Sequence, residues 1–428
     1  MEKPTRRQFI QTGTLALGAG LILPVVNRTA MGTTIVQQWT EDLAGNGNIL
    51  VIVELAGGND GLNTIVPLAQ YDTYKNLRSR IAIPKEQVLP LFGSSTMGLT
   101  PNLANLKPLA DAGKLAVIQA VHYPNPNLSH DGSRTIYYRG DPSTNTVSNS
   151  GWIGRHSALF GSPTNALDTV GIGGVSKTLY APGAKVSGIA VDGQGSPAGY
   201  VFSTDARYPG DRNNQLAAAR LIDASASPKR YLDLVETTTL DALNSADQVD
   251  AAAGTYSSNV VYPDNDSFAS GLKLIAKLAT ATPTLGTRVF YISLGGFDTH
   301  ANQITDQPTL HQRVASGLKA FQDDLVAHNI ADRTIVMIWT EFGRRVADNA
   351  SDGTDHGTAN NVYVLGNGVK GGLYGADPSL TDLNAGNLKM KIDFRDVYTT
   401  IIQKWLGNSA SEAAQVLNGT FTNLGFLG

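Results

Sequence analysis

The residues best suited to chemistry follow short apolar runs of the sequence. Asp298 and His300 close the run TRVFYISLGGFDTH, Glu341 follows RTIVMIW, and Asp355 and His356 stand in the loop TDHG. Imidazole and carboxylate together are ligands that zinc and similar divalent ions take in proteins. A carboxylate that ends an apolar strand, such as Glu341, needs a partner if it is buried. The pattern therefore predicts a metal site, with a plain surface histidine at position 300 as the alternative.

Two further polar residues stand in comparable places. Asp60 follows the apolar run NILVIVEL through a Gly-rich turn, and Ser129 follows a loop rich in Pro and Asn and precedes a predicted helix. Asp60 is equally typical of a turn, and Ser129 of a helix N-cap. Because ligands of open parallel sheets bind outside the carboxyl ends of the strands, we expect all these groups to share one rim.

The elements that position this rim can be read from the apolar pattern. Short apolar runs typical of strands buried on both faces begin near residues 48, 115, 289, 334 and 360. Amphipathic helical patterns lie between and after them, in DSFASGLKLIAKLATA, LHQRVASGLKAFQDDL and DFRDVYTTIIQKWLG, the last with Asp393 as its N-cap. This alternation predicts an α/β/α sandwich with a central, mostly parallel sheet. We predict one domain over 45–428, with an irregular insertion at about 141–254.

Composition limits the classes of function. Of the 428 residues, 42% are hydrophobic and 16% are charged, which is typical of a chain with a large core. The net charge of -3 provides no basic surface for nucleic acid or anionic lipid. The chain has no cysteine, which excludes disulfides, thiolate metal ligands and a cysteine nucleophile.

The first 30 residues resemble a twin-arginine export signal. Arg6 and Arg7 precede Phe9 and an apolar run that is too short to span a bilayer comfortably. We therefore expect folded export to the periplasm or beyond through the twin-arginine machinery. The residues before Ala30 do not form a clean A-x-A cleavage site, so an uncleaved membrane anchor stays open as an alternative.

An ordered set of motifs resembles the DUF1501 family of exported bacterial proteins. The motifs are ELAGGNDGLN, NLSHDGSRTIYYRG, GGFDTHANQ, WTEFGRR, GTDHGTANNVYVLGNGVKGGLYG and DFRDVYTTIIQKWLG. This resemblance implies membership of the alkaline phosphatase and sulfatase superfamily, and hence an alkaline phosphatase-like fold. It also implies a divalent metal site, with zinc or a similar ion, and the company of another exported protein.

The superfamily pattern can be carried over by position. It implies metal ligands at Asp60, Asp298, His300, Glu341 and His356, with Glu54 as the alternative to Asp60. It implies a nucleophile at Ser129. Arg344, just after the fourth strand, could contact a bound anion, or it could be a surface residue that caps a turn.

One position departs from the superfamily pattern. Phe342 stands where a metal-binding histidine is expected after Glu341. Residues that could replace the missing ligand are Asp355, His130 and Asp131. A site with one metal, or one with none, is the other outcome.

Two functions therefore stay open from the sequence. The first is a metal-dependent hydrolase of phosphate or sulfate esters with Ser129 as nucleophile. The second is a non-catalytic envelope protein that keeps the fold and binds a partner.

Overall fold

The computed structural model describes residues 47–143, 150–189, 195, 197 and 230–428. These residues belong to one compact unit, 45–428. The predicted export signal lies outside the described residues, and export stays a prediction. Among the described residues, no helix combines the length and the apolar composition needed to cross a bilayer.

The described residues contain strands and helices in alternation. The strands are β1 (Ile49–Leu55), β2 (Ile65–Pro67), β3 (Leu89–Pro90), β4 (Met97–Leu99), β5 (Leu115–His122), β6 (Thr169–Ile172), β7 (Val186–Ile189), β8 (Val289–Leu294), β9 (Thr334–Trp339), β10 (Asn360–Gly366), β11 (Gly372–Tyr374), β12 (Leu383–Asn384), β13 (Asn387–Leu388) and β14 (Ile392–Asp393). The α-helices are α1 (Tyr71–Leu77), α2 (Lys107–Asp111), α3 (His130–Arg139), α4 (Trp152–Phe160), α5 (Arg230–Thr255), α6 (Ser267–Thr280), α7 (Thr282–Leu285), α8 (Gln303–Ala327), α9 (Phe394–Lys404) and α10 (Ala410–Leu417).

The central sheet is mostly parallel. Its order is β11-β5-β10-β9-β1-β8-β6-β7, and β14 also pairs with β5. All pairs are parallel except those of β10, which runs antiparallel to both β5 and β9. The residues that precede β10 therefore lie at the same edge as the carboxyl ends of the parallel strands.

Helices cover both faces of the sheet, as the alternation along β1 requires. Val51 and Val53 belong to a buried cluster with residues of α6 and α8, such as Leu272 and Leu318. Leu50 and Ile52 belong to a second cluster with residues of α3, α4 and α9. Because successive strand side chains point to opposite faces, one apolar strand supplies both cores. The predicted α/β/α sandwich is confirmed.

Local signals fix the ends of several helices. Asp393, the predicted N-cap of α9, accepts a hydrogen bond from the backbone N–H of Arg395. Asp266 caps α6 in the same way, accepting from Phe268 and Ala269. Each helix then buries the apolar stripe that the sequence pattern predicts.

The segment predicted as an insertion, 141–254, is described in part. It contains α4 and the two strands β6 and β7, which extend the main sheet beyond β8. Its longest stretch outside the described residues is 198–229. The domain boundaries proposed for this segment stay a prediction.

Candidate metal centre

Four side chains from three separate segments converge at the carboxyl edge of the sheet. His300 Nε2 and His356 Nε2 lie 3.0 Å apart, and each is 3.1 Å from Asp298 Oδ1. His130 Nε2 lies 3.3 Å from the other carboxylate oxygen, Asp298 Oδ2. We call these four residues the His/Asp cluster.

The fold explains why the cluster forms. Asp298 and His300 follow β8, and His130 is the first residue of α3, which follows the loop after β5. His356 precedes β10, and the reversed direction of that strand returns it to the same edge. The backbone N–H of Thr354 donates to the carbonyl of Thr299, 3.1 Å away, and ties the two loops together.

The second ring nitrogen of each histidine faces an oxygen. Nδ1 of His130 lies 2.9 Å from Glu341 Oε1, and Nδ1 of His300 lies 3.3 Å from Asp355 Oδ1. Nδ1 of His356 lies 2.7 Å from the carbonyl of Leu128, which can only accept. A neutral ring whose Nδ1–H donates in this way presents the lone pair of Nε2. All three Nε2 atoms are therefore aimed at Asp298 as acceptors.

Such an arrangement needs positive charge at its centre. Lone pairs that face a carboxylate at 3.1–3.3 Å repel it unless a proton or a cation lies between them. Donors at 2.0–2.1 Å from a tetrahedral zinc ion would be about 3.3 Å apart. The contacts of Asp298 with the three rings, 3.1–3.3 Å, and of His300 with His356, 3.0 Å, come close to this value. Among the described residues, the group whose donor atoms all lie within 4.8 Å of one another is His130, Asp298 and His356. These three residues fit one divalent ion, and His300 lies beside His356 outside that group.

Asp298 is held as a carboxylate by its neighbours. Partial burial raises the pKa of Asp298, but the hydrogen bond and charge of Arg344, together with the adjacent His356 ring, outweigh this effect and bring the pKa down to about 2. The group is therefore ionised at neutral pH, as a metal ligand must be.

Arg344 does not lie where an incoming anion could meet it. Its side chain is fully buried, and its guanidinium donates to the carbonyls of Gly57, Gly58, Phe297 and Thr354. It also donates to Asp298 Oδ1 at 2.7 Å. The geometry argues against the anion contact predicted for Arg344, because these acceptors occupy its donors. Arg344 positions Asp298 instead.

Asp60 also differs from its predicted role. Its carboxylate is buried, forms an ion pair with Arg78 and accepts a hydrogen bond from Gln303. The other oxygen accepts from the backbone of Leu62, 3.1 Å away. With its charge neutralised by Arg78, Asp60 anchors the turn after β1 and does not join the cluster. Glu54, the alternative, pairs with Arg134 at 2.6 Å.

Glu341 and Phe342 lie directly behind the cluster. Glu341 is fully buried and accepts from the backbone N–H of Gly57 at 2.9 Å as well as contacting His130. The Phe342 ring is buried, with its centre 5.1 Å from that of His130 and 4.5 Å from that of His356. Glu341 thus orients a histidine of the cluster, and Phe342 packs beneath two of them.

Ser129 lies at the edge of the cluster. It is the N-cap residue of α3, is exposed, and makes no side-chain hydrogen bond that caps the helix. Its neighbours along the chain both contact the cluster, since Leu128 accepts from His356 and His130 belongs to it.

The main sequence prediction did not place His130 among the metal ligands. It named His130 only as a possible substitute for the ligand missing at Phe342. Of the other two substitutes, Asp355 contacts His300 from outside and Asp131 is exposed one residue along α3. The signal for His130 was its place in the motif SHD, at the predicted start of a helix beside the rim.

Comparisons with known proteins identify a family. The family described as "Protein of unknown function (DUF1501)" matches residues 48–423. No curated protein matches the sequence.

Solved structures resemble the chain only distantly. A sulfatase from Pseudoalteromonas sp. is 10% identical, with a TM-score of 0.41, over 94% of this chain and 76% of that one. A protein in the alkaline phosphatase superfamily from Vibrio parahaemolyticus is 9% identical, with a TM-score of 0.38, over 91% of this chain and 78% of that one. Likenesses of this degree carry no conclusion about the activity.

Proposed function

Because the chain belongs to the DUF1501 family, whose description assigns no activity, we propose a function from the site itself: a metal-dependent hydrolase of phosphate or sulfate esters. The observation that carries the proposal is the convergence of three Nε2 atoms on one carboxylate. His130 is held from behind by buried Glu341 and His356 by the backbone carbonyl of Leu128, whereas His300 faces the exposed Asp355. Such support is typical of metal sites, in which outer hydrogen bonds orient the ligands.

The residues that would hold the ion are those of the cluster. His130 and His356 would supply nitrogen and Asp298 would supply oxygen, with His300 as a further nitrogen donor next to His356. This donor set suits zinc or a similar divalent ion. When bound, such an ion polarises the ester oxygen that it contacts.

The chain's own residues supply the remaining parts of the reaction. Ser129 offers an exposed hydroxyl beside the cluster and is the proposed nucleophile. It stands at the N-terminus of α3, where free backbone N–H groups and the helix dipole favour a bound anion. Glu341 accepts from Nδ1 of His130 and holds the ring in place. Phe342 keeps water from the rear of the site, since it is fully buried against two of the rings.

Metal analysis of the purified protein tests this proposal. We expect the wild-type chain to retain about one divalent ion and to hydrolyse aryl phosphate or aryl sulfate. His356→Ala should lose the ion and the activity while keeping its melting behaviour without metal, because a partly exposed ligand supports little packing. His328→Gln, which removes an imidazole far along the chain at the end of α8, serves as the matched control. Full metal content in His356→Ala would refute the ligand assignment.

A second function is favoured by a specific observation. Asp60 is neutralised by Arg78, and Arg344 is committed to backbone carbonyls, so neither assists a substrate. A chain with this site could bind a metal or a partner at the envelope without catalysis. Stable metal content without turnover of any aryl phosphate or sulfate would favour this alternative.

We further propose that the protein works outside the cytoplasm. Arg6 and Arg7 with the apolar run behind them support export by the twin-arginine route. That route carries folded proteins, so the metal would be loaded before export. A second exported protein is the partner that the family resemblance suggests.

A further inference from the structure

Exposed residues follow the end of β8 and lead to Asp298 of the cluster. Ser293, Gly295, Gly296 and Asp298 are all exposed, whereas the alternating residues Leu294 and Phe297 are buried. We call these four exposed residues the β8 groove. Ser293 is exposed although β8 lies inside the sheet, because the pairing of β8 with β6 stops at Tyr291. A Cβ added at Gly295 would meet no atom of the described residues within 4 Å, whereas one added at Gly296 would meet the Leu310 side chain at 3.2 Å, so the space is open at Gly295.

Arg134 stands at the far end of this groove. Its Nε donates to Glu54 Oε1 at 2.6 Å, and its side chain is 33% exposed. Glu54 is the register partner of Ser293 on the neighbouring strand, so both side chains project from the same face of the sheet. Neighbouring strands are about 4.8 Å apart. Arg134, bound to Glu54, therefore lies on the face of the sheet from which Ser293 projects, with its anchor one strand away.

The Arg134 side chain is oriented and still has donors to spare. Glu54 is fixed by the hydroxyls of Tyr138 and Tyr291 as well as by Arg134. The aromatic ring of Tyr138 lies 5.6 Å from the guanidinium carbon. Within the described residues, the Arg134 side chain makes a single hydrogen bond, the one to Glu54. Both of its NH₂ groups, which form the fork suited to phosphate and sulfate, therefore remain available.

We propose that the β8 groove binds a second anionic group of the substrate through Arg134. The inference rests on the proposed function, in which the cluster binds the group that reacts. Arg134 follows His130 by four residues of α3, which advance the helix by about 6 Å on one face. An anion held at the cluster and another at Arg134 would therefore be separated by a short linker. The substrate class is an ester that carries a further phosphate, sulfate or carboxylate.

Binding of phosphonates, which the protein cannot hydrolyse, tests the inference without turnover. Calorimetry on the metal-loaded chain compares methylphosphonate with butane-1,4-bisphosphonate, whose two anions span a similar distance. We expect the wild type to bind the bisphosphonate at least about tenfold more tightly, since a charged fork contact is worth more than about 1.4 kcal/mol. Ser293→Asp, which puts a negative charge on the groove floor, should remove this preference.

Ser293→Asn is the matched control, because Asn has the size of Asp without its charge. This variant should keep the preference for the bisphosphonate. This design leaves Arg134 in place, since removing it would strand the buried Glu54 carboxylate. Equal bisphosphonate affinity in wild type, Ser293→Asn and Ser293→Asp would overturn the inference. If methylphosphonate does not bind to the metal-loaded protein, the proposed hydrolase function is contradicted. If the bisphosphonate nevertheless binds, and Ser293→Asp alone abolishes this binding, the result supports the groove independently of that function.

Discussion

At the scale of the residue, the site depends on side chains that never meet a substrate. Glu341 is fully buried, yet it contacts His130 Nδ1 at 2.9 Å and accepts from Gly57. A buried carboxylate that accepts a hydrogen bond from Nδ1–H of a histidine fixes the tautomer and makes the other nitrogen a better ligand. Glu341 is therefore a positioning residue for His130 at the proposed metal site.

Replacement of Glu341 by Gln should weaken metal binding while leaving the ligands in place. The amide keeps the shape but loses the charge that supports His130, so we expect about 10- to 100-fold lower metal affinity. Competition with a chromophoric chelator measures this affinity. Asp352→Asn, an exposed acid in the neighbouring loop, is the control and should bind as the wild type does. Unchanged affinity in Glu341→Gln would remove Glu341 from this role.

The site also depends on the absence of a side chain at Gly57. Its φ is +125°, and a Cβ built there would lie 2.3 Å from the backbone nitrogen of Asp298. Its N–H donates to Glu341 and its carbonyl accepts from Arg344. Close approach of two backbones and a positive φ both require glycine at this point.

Gly57→Ala should therefore destabilise the fold by at least about 2 kcal/mol, because strain and displacement of the Asp298 backbone add. Urea unfolding measures the loss. Gly254→Ala is the matched control: this glycine is in α5, no atom lies within 4 Å of an added Cβ, and alanine is the better helix former. Equal stability of the two variants would contradict the close packing at Gly57.

At the scale of the element, the end of α8 is joined to the segment after α5. Buried Asp324 accepts hydrogen bonds from Tyr256, Ser258 and Tyr262. His328 contacts two carbonyls, with Nδ1 2.9 Å from that of Asp324 and Nε2 3.0 Å from that of Ser257. Since carbonyls only accept, both ring nitrogens must donate, which requires the charged ring.

This contact should give the stability of the protein a pH dependence. Partial burial lowers the pKa of His328. The carbonyls of Asp324 and Ser257 and the Asp324 carboxylate together raise the pKa by more, so its net shift is upward. The contribution is therefore fully present below the unfolded pKa of about 6.5 and is lost as the pH rises through the folded pKa. His328→Gln should lower the free energy of unfolding by about 0.3–1 kcal/mol in acid and by less in alkali. A loss that is equal at both pH values would show that the ring is not charged.

The elements themselves were largely predictable from the sequence. The apolar runs that became β1, β5, β8, β9 and β10 are fully buried or nearly so, and such runs carry a strong signal. The direction of β10 was not predictable, because an apolar strand buried on both faces reads the same in either direction. The contribution of β6 and β7 to the main sheet was missed since both are short and contain Gly.

The site was predictable only where the ligand type itself carries the signal. Asp298, His300 and His356 stand in motifs whose residues are typical of metal ligands, and they do lie together. Asp60 and Arg344 stand in motifs just as suggestive. Their roles depend on partners that no local pattern reveals, namely Arg78 for Asp60 and four backbone carbonyls for Arg344.

At the scale of the whole molecule, the proposed route out of the cytoplasm can be tested separately from the site. Replacing both Arg6 and Arg7 with Lys should leave the folded protein in the cytoplasm, because the arginine pair is what the twin-arginine machinery reads. Cell fractionation followed by immunoblotting measures the distribution. Wild-type levels of the double variant in the periplasm would refute this route, whereas the site and its chemistry would be unaffected.

The position of β10 has a consequence for biosynthesis. This strand joins β5 to β9 in the middle of the sheet, yet it is synthesised after β1, β5, β8 and β9. A chain that ends before residue 360 lacks the strand that unites the two parts of the sheet and holds the His356 loop beside Asp298. Binding of the proposed ion would therefore report that β10 has been made and has paired with both β5 and β9.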